Sequence, residues 1–133
     1  MSVQRPPVSA AALRRLLVAQ ARRRRTLTYR DAAARLALAP PLSIHRLADA
    51  LEAQMAEDAR AGRPMLAALV VSRRDGGALP APGFFAAARA LGVYDGDEQG
   101  PDAETFHATQ LAAVYADPER WAAADAADGR AGG

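Results

Sequence analysis

The chain has 133 residues, enough for one domain around a single core, and it is half apolar but rich in alanine, with few aromatic side chains. It has no cysteine, which excludes disulfides, thiolate zinc sites and cysteine nucleophiles. The net charge of +2 hides a division: residues 1–74 carry +9 and residues 95–133 carry −7, a basic front and an acidic back that point to a polyanion on one side. All seventeen basic residues are arginine, as a GC-rich coding genome produces and as phosphate recognition favours. No apolar run approaches the ~20 residues that span a bilayer. The arginine-rich, acid-free first thirty residues have a transit-peptide composition. Leu13, Leu16, Leu17 and Ala21 nevertheless form a core-facing stripe, so a soluble cytoplasmic protein is expected.

Residues 1–8 read as a flexible arm. Ser9 is placed to cap a helix running to about Arg24, with Arg14, Arg15, Arg22 and Arg23 largely off its apolar stripe. Thr26 to Thr28 is a short extended segment, and Thr28 with Asp31 approximates a capping box for a short helix, Ala32 to Leu38, packed through Leu36. Pro40 and Pro41 end it, and Ser43 is the expected N-cap of the next helix, which carries Ile44, Leu47, Leu51 and Met55 on one face and Asp49, Glu52 and Asp58 elsewhere. Gly62 and Pro64 stop that helix.

Met65 to Val71 is a continuous apolar run, the pattern of a buried strand. Arg73-Arg74-Asp75-Gly76-Gly77 signals a hairpin turn, and Ala78 to Gly83 returns as an irregular, proline-bearing edge. Phe84 to Leu91 reads as a helix closed by Gly92, with at most one of Phe84 and Phe85 pointing fully inward. An acidic loop spans Asp95 to Asp102. Ala103 to Tyr115 is amphipathic through Phe106, Gln110, Leu111 and Val114, and Asp117-Pro118-Glu119 starts a last turn carrying Trp121.

Two short helices across a tight turn, followed by a hairpin, make a winged helix-turn-helix: a mostly α fold with a small β-hairpin. The expected organisation is a winged-helix domain over 9–94, an acidic loop and C-terminal helices packing on it over 95–124, and a disordered tail over 125–133. A recognition helix presents its N-terminal residues to base edges and phosphates, here Ser43, His45 and Arg46. Arg46 reads guanine or phosphate, or else pairs with Asp49 or Asp31; His45 is otherwise an exposed or capping histidine. Tyr29 either offers its hydroxyl to a phosphate or packs the domain. Arg22, Arg23, Arg24 and Arg25 suit phosphate or the helix dipole, Arg30 adds a cation near the turn, and Arg73 and Arg74 sit at the wing tip.

His107 and His45 are too far apart to suggest a metal site, and no phosphate loop, nucleophile elbow or close carboxylate pair is present. No catalytic residue, metal or cofactor is expected. Double-stranded DNA is the expected partner, and a protein partner or homodimer is the rival, in which the basic front and acidic back grip another chain. The acidic segment 95–133 discriminates them: packed over the basic helix it blocks DNA, held away it does not.

Thr28-Tyr29-Arg30-Asp31-Ala32-Ala33, His45-Arg46-Leu47-Ala48-Asp49-Ala50-Leu51 and Pro64-Met65-Leu66 together resemble the winged-helix DNA-binding region of the alkylguanine-DNA alkyltransferases and alkyltransferase-like proteins. That family reads T-Y-G-E-[IV]-A, R-A-V-G-x-A-L and P-L-L. The resemblance covers about sixty residues and implies a winged helix on DNA, with Tyr29 at a DNA-contacting position. The family's Pro-Cys-His-Arg motif falls on Ala68-Leu69-Val70-Val71, so alkyl transfer is not implied. His45 replaces the arginine that the family inserts into the duplex, and Arg30 replaces the motif glycine. The run Arg63 to Val71, with Gly83-Phe84-Phe85, also resembles small bacterial winged-helix proteins with a P-L-x-A-L-V-V and P-G-x-G-F pattern.

Overall fold

The computed structural model describes residues 8–74 and 77–123. Helix α1 (Ala10–Arg22) starts at Ser9, whose hydroxyl accepts the Ala12 amide at 3.1 Å. Strand β1 (Leu27–Thr28) runs straight into α2 (Tyr29–Arg35), which the Thr28 hydroxyl caps by accepting the Asp31 amide. Then come α3 (Ser43–Ala61), a 3₁₀ turn (Leu66–Leu69), β2 (Val70–Arg74), β3 (Gly77–Leu79), α4 (Pro82–Ala90) and α5 (Pro101–Ala116). A helical turn over 119–123 follows. The fold is mostly helical with a small sheet of strand order β1-β2-β3. β1 lies parallel to β2 with Thr28 opposite Val71, and β3 returns antiparallel with Arg74 opposite Gly77.

Four helices end in the same way. In each, one residue takes a left-handed conformation and two amides fold back onto the last turn: Arg24 and Arg25 onto Ala21 and Gln20, Ala37 and Leu38 onto Ala34 and Ala33. Gly62 with Arg63, and Gly92 with Val93, repeat the pattern on Ala59, Asp58, Arg89 and Ala88. Glycine takes this conformation without strain; Arg24 (φ 54°) and Ala37 (φ 55°) do so at a backbone cost.

The 3₁₀ turn is the centre of the core, wholly buried and packed by α1, α3 and α5. Leu13, Leu17, Leu47, Leu51, Met55, Phe85, Val114 and Trp121 close around it. Phe84 and Phe85 meet edge to face at 5.1 Å within α4; Phe84 lies 6.0 Å and Phe85 6.4 Å from Phe106, and Tyr94 stacks on Phe106 at 4.5 Å, fastening α4 and the loop after it to α5.

Asp58 is fully buried within this core. Its Oδ1 accepts from Trp121 Nε1 at 2.8 Å, Arg63 Nε at 2.9 Å and Gln54 Nε2 at 3.2 Å, while Oδ2 accepts the Leu66 amide at 3.1 Å. One carboxylate thus joins the end of α3, the start of the 3₁₀ turn and the C-terminal segment. Burial pushes this carboxyl above the usual range, and the bonds from Trp121, Arg63 and Leu66 pull it back.

Several expectations change. Met65 to Val71 is not one strand: its first part winds into the 3₁₀ turn, since an apolar run suits either form when buried. Asp58 and Arg14 are buried rather than turned to solvent, because each finds hydrogen-bond partners inside; Arg14 reaches Gln54 and Glu57. Phe84 and Phe85 are both buried, since α4 is covered on two sides. Ser43 is the first helical residue and not the N-cap; Leu42 holds that position in a left-handed conformation, with no side-chain cap. Ile44 is 46 % exposed, because the first turn of α3 overhangs the core that begins at Leu47. The helix expected over 32–38 is α2, starting at Tyr29 because Thr28 caps it and stopping before Ala37 turns left-handed. Asp75, Gly76, the Arg74 side chain, residues 1–7 of the expected arm and the expected tail over 125–133 lie outside the described residues.

Candidate nucleic-acid interface

The parallel pairing of β1 with β2 sets the geometry of the basic face. With Thr28 opposite Val71, Arg30 and Arg73 each lie two residues further along their own segments. They line one open, polar groove together with Thr28, Tyr29, Asp31, Val71 and Ser72. Both arginines are exposed, and neither makes an ion pair with a described residue. Asp31 brings one acid to the groove, and its backbone amide donates to the Thr28 hydroxyl.

Tyr29 is half-buried at the rim of this groove, and its hydroxyl accepts the Ala81 amide at 3.0 Å. Burial pushes that hydroxyl above its ordinary pKa of 10, and the Ala81 bond pulls it down. The tyrosine therefore ties the start of α2 to the exit of the hairpin; its hydroxyl proton remains available to donate to an acceptor. On its other side the ring borders an apolar crevice formed by Ala48, Leu51, Met55, Ala67 and Phe84.

At the start of α3, His45 is exposed and Ser43 and Arg46 are half-buried. Arg46 is engaged by the protein itself. Beside them Pro40, Pro41, Leu42 and Ile44 are exposed, with Leu42 62 % accessible, so the tip is apolar as well as basic.

The four-arginine run closes α1. Arg23 and Arg25 are exposed there. Arg22 is held by Glu119 through two bonds, Nε to Oε1 and Nη2 to Oε2, each 2.7 Å. That hydrogen bond, with the accompanying charge attraction, raises the Arg22 pKa and lowers that of Glu119. The Arg24 guanidinium lies over the Tyr115 ring, 5.9 Å from its centroid. The C-terminal part of the chain thus reaches the basic run. The sequence offers no local signal of this contact, because the partners are 97 residues apart.

His107 is buried, and its Nε2 lies 2.9 Å from the Ala68 carbonyl, to which it donates. Burial pushes its pKa below the ordinary value. Among the described residues no group of three or more His, Asp or Glu side chains is placed to hold a metal ion, and no helix is long and apolar enough to cross a membrane. No family model, curated protein or solved structure matches the chain.

Proposed function

We propose that this chain is a non-catalytic binder of double-stranded DNA, built as a winged helix in which β2 and β3 form the wing and α3 presents its first turn to the duplex. The observation that carries this reading is the groove between β1–α2 and β2, where Arg30 and Arg73 stand exposed on one polar surface. Two guanidinium forks on a groove with the Thr28 and Ser72 hydroxyls suit a phosphate backbone. His45 and Arg46 at the start of α3 are the base-reading candidates, and the alkyltransferase-like resemblance of residues 28–33 and 45–51 supports the same assignment.

The test is a salt titration of binding to a short labelled duplex. A phosphate-neutralising face gives a log–log slope of about −0.9 per contact, and Arg30→Ala and Arg73→Ala should each make it shallower by about that amount. No association at ~50 mM salt overturns the reading. The exposed apolar tip, Leu42 and Ile44 beside Pro40 and Pro41, favours a second reading, in which the same end of α3 docks on a protein or a second copy. In that case Leu42→Asp breaks the association, while the arginine variants leave it unchanged.

A further inference from the structure

We infer that Arg22 is a phosphate contact of the same DNA-binding surface, held closed by Glu119, which occupies its guanidinium as an internal stand-in for the phosphate. The inference rests on the DNA reading and adds its regulation. A carboxylate and a phosphate present the same pair of oxygens to a guanidinium fork. Glu119 uses both of its oxygens, each at 2.7 Å, on Nε and Nη2 of Arg22.

The side chains are 52 % and 62 % exposed, so the pair opens without uncovering any core and an incoming phosphate reaches the same fork. Neighbouring Arg24 is also met by the C-terminal part of the chain, through an aromatic ring and not a carboxylate. It takes a left-handed helix-ending position where glycine is unstrained, and its guanidinium lies over Tyr115. One cation of the run is thus neutralised and a second sits on an aromatic ring, both through the C-terminal segment. That segment belongs to the part of the chain carrying −7, so its field opposes a polyanion approaching this end of α1.

The experiment uses the full chain and a labelled duplex at several salt concentrations, comparing wild type with Glu119→Gln, Glu98→Gln and Arg22→Ala/Glu119→Gln. Glu98 pairs with Arg89 on another surface at 2.7 Å, so its substitution removes the same charge without touching Arg22. Glu119→Gln should tighten binding about two- to fivefold, the range open to an exposed pair. It should also steepen the log–log salt slope by about 0.9, because one more phosphate is neutralised. Glu98→Gln should do less, and the gain should vanish when Arg22 is also removed. An equal gain from Glu98→Gln, a gain that persists without Arg22, or wild-type behaviour of Glu119→Gln overturns this inference and leaves the DNA reading intact. If neither wild type nor Glu119→Gln binds duplex at ~50 mM salt, the DNA reading fails and takes this inference with it.

Discussion

Two of the acid–arginine pairs of this protein, Glu119 with Arg22 and Asp58 with Arg63, differ in kind, and the shorter pair is the weaker anchor. Glu119 meets Arg22 at 2.7 Å on the surface; Asp58 meets Arg63 at 2.9 Å, with the Asp58 side chain fully out of water. Distance does not separate them; the surroundings do. Around Asp58, three further donors converge from Gln54, Leu66 and Trp121, so releasing the arginine still leaves the carboxylate bound to three elements. Around Glu119 water takes over whatever is released. The first acid is architecture, and the second is exchangeable.

The sharpest way to break this contrast is Asp58→Ala. It strands the Trp121 and Leu66 N–H groups and the Arg63 guanidinium, and should cost about 3–5 kcal/mol in urea unfolding followed by circular dichroism. A loss below about 1 kcal/mol would place Asp58 in the surface class. Glu119→Gln, in the same measurement, should leave the unfolding midpoint where it is.

Arg14 tests the middle ground. Its side chain is 7 % exposed, and its partners include Gln54, itself bonded to Asp58, and the partly exposed Glu57. Arg14→Ala should cost about 1–3 kcal/mol, between the two extremes. A loss as large as that of Asp58→Ala would show that the buried network acts as one unit.

The smallest expected effect is on pH. Because burial lowers the His107 pKa in the folded chain, the unfolded chain takes up a proton that the native state refuses. Its contribution is fully present above the ordinary histidine value near 6.5 and is lost as pH falls from there towards the depressed folded value. Asp58 works in the opposite sense: its raised pKa makes the fold gain stability as pH falls through that value. The unfolding midpoint of His107→Gln, which keeps a donor for Ala68, should therefore fall less than that of wild type between about pH 7 and 5.5. Equal falls would assign the acid sensitivity elsewhere.

What the sequence made legible follows the range of the interactions. Caps and stops are local, so Ser9, Thr28, Gly62 and Gly92 could be read from their own neighbours. Position 58 falls on the repeat of Leu47, Leu51 and Met55, a spacing that marks it as inward-facing even though an aspartate stands there. Its partner Trp121 is 63 residues away, and nothing local announces it. The same holds for the basic face: the arginines are visible as charges, but which of them share a groove depends on the pairing of β1 with β2 across some forty residues. The strand expected at Met65 failed for a different reason, since apolar runs state burial without stating backbone form.

The hydrogen bond from Trp121 to Asp58 gives the molecule its own optical reporter. Trp121 is the sole tryptophan, fully buried, and its indole N–H points at a carboxylate on α3. It also lies two residues beyond Glu119, in the same helical turn that carries the clasp on Arg22. Any event that lifts this turn off the body exposes the indole to water, and its fluorescence shifts to the red without an attached dye. An event that only exchanges Glu119 for another anion leaves the emission in place. One emission spectrum thus tells release of a side chain from release of the segment that bears it.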